Sequence, residues 1–206
     1  MRPSPPPFEV DVIRLSIALI PIMTMLWPPA EPPVADRWRL WPAAEIFPAQ
    51  LPGTTPSGAR TTYVLVGIAP ESPCAAAFQD GARLPGCLTA LRATYTESTQ
   101  TFVATAGIAV LTGPPPAGPS TPPAGRSTDP RPATVRPYPV QGGPAELFGQ
   151  RQYITGARES GPERYVVLTA AGYSDGRPYT RGLAATPRLR GVAEQLARAL
   201  HRRLTG

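Results

Sequence analysis

The sequence predicts an α+β domain: a mostly antiparallel sheet of about five strands, built from two hairpins, with a C-terminal amphipathic helix packed on it. Three observations predict it. Residues 61–68, 88–96, 101–111, 152–157 and 164–171 are rich in β-branched and aromatic side chains and are bounded by turn residues, the signature of strands. Four of these runs pair around short polar turns at 97–100 and 159–162, which reads as two hairpins. From Thr186 onward, apolar residues recur at Leu189, Val192, Ala193, Leu196, Leu200 and Leu204, a helical stripe.

The chain opens on an apolar run, residues 15–27, with Arg14 before it and Trp27 at its end. A bilayer-spanning helix needs about 20 apolar residues, so the run matches the hydrophobic part of an export signal better than a comfortable span. Residues 1–27 are therefore read as a signal-anchor or signal-like segment, with the bulk of the chain delivered outside the cytoplasm. Proline spoils the small-residue sites at Ala30 and Ala35, which disfavours cleavage. A stretch of ordinary core is the competing reading, and Pro21 argues against it.

Residues 28–60 hold Trp38, Trp41, Ile46 and Phe47 among prolines. They read as a docking segment laid on the domain, which occupies residues 61–206. A short helix is expected at 73–82, with Ser72 as cap and Pro73 in the first position. In the strand at 101–111 both faces are apolar, which places it mid-sheet and covered on both sides. Residues 113–139 are proline-rich and without periodicity, and read as a flexible loop. Residues 144–149 have the makings of one helical turn. In the last helix, Thr186 caps and Pro187 takes the first position, while Arg190, Glu194, Arg198, His201 and Arg202 fall on the side away from the apolar stripe.

Composition narrows the function classes. There are 30 Pro and 19 Gly, clustered as linkers, and all 20 basic residues are Arg, as a GC-rich genome would encode. The net charge of +6 lies wholly in residues 151–206. Those arginines are spread over strands, loop and helix, so a solvated basic face is the plain reading and anionic lipid the functional one. No nucleic-acid signature is present, and no nucleic-acid partner is expected. Without Lys no Walker phosphate loop can exist.

Cys74 and Cys87 are the two cysteines. Their spacing fits neither a CxxC redox motif nor a zinc site. In an exported chain they read as one disulfide, in a cytosolic one as two buried thiols. His201, the one histidine, would have to serve any Ser-His-Asp or Cys-His system, and its expected place on the exposed side of the helix gives no such assembly. Glu71, Asp80, Glu97 and Asp175 are candidates for a carboxylate pair, although no spacing singles out two. The YSDGRPY motif is first a turn. It also offers a candidate ligand contact, with Tyr173 and Tyr179 for stacking and Asp175 and Arg177 for polar contact. No catalytic residue, metal ligand or cofactor is assigned.

The segment CAAAFQDGARLPGCLTALRATYTESTQTFVATAGIAVL, with RYVVLTAAGYSDGRP, is similar to exported or membrane-anchored proteins of high-GC actinobacteria that have no assigned activity. The likeness implies location and transfers no site residue. The layout also resembles extracytoplasmic sensor domains of those bacteria.

The expectation is an extracytoplasmic, membrane-tethered or secreted binding or accessory module without enzymatic activity. Its partners would be the membrane, through residues 15–27, and envelope proteins or anionic lipid. A cell-envelope hydrolase using carboxylates and a structural subunit of a membrane complex are the alternatives.

Overall fold

Strands with two apolar faces need cover on both sides, and the fold supplies a different cover for each. The computed structural model describes residues 31–116 and 131–206. A 3-10 turn, Val34–Asp36, leads into two single-turn helices, α1 (Arg37–Leu40) and α2 (Ala43–Ile46). Then come β1 (Gln50–Thr54), β2 (Arg60–Ser72), α3 (Cys74–Ala77), a 3-10 turn at Asp80–Ala82, β3 (Cys87–Glu97) and β4 (Phe102–Leu111). The chain finishes with β5 (Tyr153–Ser160), β6 (Tyr165–Tyr173) and α4 (Pro187–Thr205). All strand pairs are antiparallel, in the order β1-β2-β3-β4-β6-β5. The two predicted hairpins are β3–β4 and β5–β6. They join through β4 and β6, with Phe102 opposite Tyr173 and Val110 opposite Tyr165.

β4 is the middle of the structure: all ten of its residues are buried. Phe102, Ala104, Ala106, Ile108 and Val110 face the core shared with α4, whose Leu189, Val192, Leu196, Leu200 and Leu204 are buried against it. Thr186 caps α4 by accepting a hydrogen bond from the Leu189 N–H at 3.3 Å, with Pro187 in the first turn. Val103, Ala109 and Leu111 point the other way, into a second core with Phe78, Val135, Ala145 and Phe148.

That second cover corrects the reading of residues 113–139 as a flexible loop. Residues 117–130 of that stretch lie outside the described residues. Residues 131–139 run across the sheet, with Thr134 and Val135 buried. Val135 forms a bridge with Phe78, and Tyr138 N–H donates to Thr105 Oγ1 at 2.9 Å. Thr134 Oγ1 donates to the Thr169 carbonyl at 2.7 Å. Gly107 on β4 makes room for this: a Cβ there would lie 2.5 Å from Val135 Cγ2.

Other expectations also change. The sheet has six strands, because residues 50–54 of the docking segment pair with β2. Pro52 sits in an edge strand, where proline is tolerated. Ile46 and Phe47 of that segment are core residues, 3% and 1% exposed. The helix expected over 73–82 divides into α3 and a 3-10 turn. Ser72 does not cap it: Ser72 ends β2, and its hydroxyl is buried without a partner. Residues 144–149 form hydrogen-bonded turns rather than a helix, with Phe148 N–H donating to the Ala145 carbonyl at 3.1 Å. Among the described residues no helix is long and apolar enough to cross a membrane. Residues 1–27, with the apolar run at 15–27, lie outside the described residues.

Candidate functional site

The Ser174-Asp175-Gly176 turn follows β6 directly, and Gly176 takes a left-handed conformation (φ +74°) as a tight turn requires. The turn brings three of the four candidate contact residues together. Asp175 accepts the Arg177 backbone N–H at 3.1 Å and pairs with its guanidinium, Nε to Oδ2 at 2.7 Å. Arg177 lies 4.3 Å over the Tyr173 ring. The hydrogen bonds from Arg177 hold the Asp175 carboxyl below its ordinary range, and Asp175 raises the guanidinium in turn. Both side chains stay about half exposed, so the pair is open to exchange with a ligand.

The stack continues into the fold. Tyr173 packs against Phe102 with ring centroids 5.5 Å apart, and Arg188 of α4 lies 5.4 Å over Phe102. Arg188 is anchored by Glu97, Nη2 to Oε1 at 2.9 Å, and Glu97 is 1% exposed. Thr61 and Thr99 hydroxyls donate to the same carboxylate. This ladder forms because the β4–β6 register sets Phe102 opposite Tyr173 at the end of the sheet.

Tyr179 belongs to a neighbouring arrangement. Its N–H donates to the Arg151 carbonyl at 2.5 Å, and its ring sits 4.5 Å from the Arg131 guanidinium. Arg131 lies equally close to Tyr153. Arg131, Arg188 and Phe102 were not singled out by sequence. Each is brought in from far along the chain, and no local motif marks them.

The four candidate carboxylates are dispersed. Glu71 accepts from Thr89 Oγ1 at 2.6 Å, Asp80 lies 3.6 Å from Arg136, Glu97 holds Arg188, and Asp175 holds Arg177. Among the described residues no hydrogen bond links any two of them. No group of three or more His, Cys, Asp or Glu is placed to hold a metal among the described residues. His201 corrects its expectation. It is 8% exposed and faces the β5–β6 turn, not solvent.

The cysteines form a disulfide, Cys74–Cys87, with Cα atoms 6.2 Å apart. It ties the start of α3 to the start of β3. Bonds of this kind persist in oxidising compartments. Beside α1 and α2 lies a shallow cavity of about 190 Å³. Trp38, Trp41, Phe47, Ile68 and Leu91 are among the residues that line it, and Glu71 is its one charged lining residue.

No protein-family model, no curated protein and no solved structure matches this chain.

Proposed function

We propose that this chain is an extracytoplasmic binding or accessory module, membrane-tethered or secreted and without enzymatic activity, that contacts its ligand through the 173–179 turn. The Cys74–Cys87 disulfide carries the reading, because it gives the domain a reason to be outside the cytoplasm. The apolar run at 15–27 supplies the means of export. The turn supports the binding part: a half-exposed arginine on a tyrosine face, tied only to an exposed carboxylate, suits an anionic ligand that displaces Asp175. The dispersal of Glu71, Asp80, Glu97 and Asp175 supports the non-enzymatic part, since among the described residues each pairs with a different residue and no hydrogen bond links any two of them.

Topology reporters fused to the C-terminus test the location. An export-dependent reporter should be active, and activity of a cytoplasmic reporter alone rejects the proposal. Intact mass, with alkylation before and after reduction, should show both thiols reacting only after reduction. For binding, Arg177→Ala should weaken retention on immobilised envelope extract, whereas Arg190→Ala on the outer face of α4 should not.

The Trp38/Trp41 cavity favours a second reading, a structural subunit of a membrane complex. Leu40 next to it is 59% exposed. If that surface holds a partner, Leu40→Asp should abolish co-purification from detergent extracts while leaving the fold intact.

A further inference from the structure

We propose that the contact between His201 of α4 and the turn joining β5 to β6 is a proton-operated latch, in which protonation of the buried imidazole releases residues 160–164 from the helix. His201 is the only histidine in the chain. Its Nε2 is buried and has no hydrogen-bond partner. Backbone occupies the space beside it: a Cβ built on Gly161 would lie 3.0 Å from Cε1 and 3.4 Å from Nε2. A neutral imidazole can leave one nitrogen unbonded. An imidazolium has a donor on each nitrogen, and a buried cation needs a partner or water.

The charges around the ring decide how it responds. Glu159 on β5 and Glu163 in the turn both favour the proton, but burial opposes it more strongly and holds His201 below the ordinary imidazole range. On the helix itself Arg198 and Arg202 flank the ring in sequence and are exposed. Arg203 is held by Glu45, and Arg37 of α1 by the Leu204 carbonyl. On the strand side Arg158 donates to the Ala82 carbonyl and Arg164 to the Leu111 carbonyl. Among the described residues no hydrogen bond joins His201 to Glu159 or Glu163. The two glutamates flank Gly161 in the chain, so a carboxylate or water reaches the protonated ring once the turn moves.

The proton comes from solvent and nothing leaves. Opening exposes the tip of β5, the last strand of the sheet. In an extracytoplasmic protein the trigger is acidification of the surroundings. The latch does not depend on which ligand the 173–179 turn binds.

Two measurements on the full chain test it together. One is an NMR titration of the single imidazole. The other is hydrogen exchange of residues 159–165 between about pH 5 and 7.5, corrected for the intrinsic exchange rate. The imidazole should titrate below about 6.5. Exchange in the turn should accelerate, by up to about tenfold per pH unit, in the same window. His201→Leu should flatten the acceleration. Gly161→Ala, which crowds the ring, should raise the titration midpoint. If His201→Leu does not fold, the wild-type measurements and Gly161→Ala still decide. A midpoint at or above the ordinary value, or turn exchange that ignores the titration or survives His201→Leu, overturns the proposal.

Discussion

Tyr63 shows how a single side chain ties the edge of the sheet to its interior. It is 2% exposed on β2, opposite Leu51 of β1 and Glu97 of β3. Burial, with the negative charge of Glu97 adding to it, pushes its phenol from 10.0 up to about 12. Between those values the folded state holds a proton that the unfolded chain has released. Stability therefore falls as pH rises through that window. In a spectrophotometric titration, the component that Tyr63→Phe removes should ionise only above the ordinary phenol value, together with loss of the fold. Ionisation of every tyrosine near pH 10 in folded protein would contradict this. Gly107 tests the opposite face. A methyl group there would lie 2.5 Å from Val135 and 2.8 Å from Phe78 Cε1, both in the packed second core. Gly107→Ala should lower stability by about 1–3 kcal/mol through overpacking. Urea unfolding would measure it, and an unchanged midpoint would mean that residues 131–139 yield freely.

Among the elements, α1, α2 and α3 are single turns of four residues that no side chain caps, and α3 is the one with a covalent tie. The disulfide at its first residue closes a short loop, with a sequence separation of 13. In the chain-entropy account such a loop stabilises the fold by about 3 kcal/mol. Reduction should cost about that much, read as a drop in the urea midpoint with and without reductant. The elements also differ in how openly the sequence displays them. α4 was plain, because its cap, its proline and its apolar stripe all lie within one stretch. The β3–β4 hairpin was plain for the same reason. β1 was hidden, since Pro52 and Gly53 spell a turn. Its pairing with β2 makes it a strand, and a distant side chain fixes its end: Gln195 donates to the Thr54 carbonyl at 2.6 Å and accepts its N–H at 2.7 Å. Residues 131–139 were hidden too, because threonine hydroxyls and an isolated bridge hold them there and leave no periodic pattern. His201 looked exposed by residue type, yet it lies four residues after the buried Ala197 and so shares the buried face. The candidate contact was half legible. Tyr173, Asp175 and Arg177 are neighbours in sequence, while Arg131 and Arg188 join only through the fold.

For the molecule as a whole, the decisive feature is that one strand serves two cores. β4 presents alternate residues to α4 on one side and to residues 131–148 on the other, and both sets are buried. Loss of either cover exposes half of the same strand, so neither core can melt while the other keeps its packing. Residues 32–206 accordingly form one compact unit. This predicts a single cooperative transition, although the two cores are built from segments far apart in the chain. Leu196→Ala removes a fully buried side chain from the first core and should cost about 2–5 kcal/mol. Val135→Ala removes two methyl groups from the second core and should cost about 2–3 kcal/mol. Each should shift the whole transition, with helix signal in the far ultraviolet and aromatic packing in the near ultraviolet moving together. The β5–β6 turn is the place where local opening should precede it, because backbone there rests on a ring that acid can charge. If Val135→Ala instead splits the transition in two, with the helix signal unmoved, β4 does not couple the cores and its double burial is only a matter of coverage.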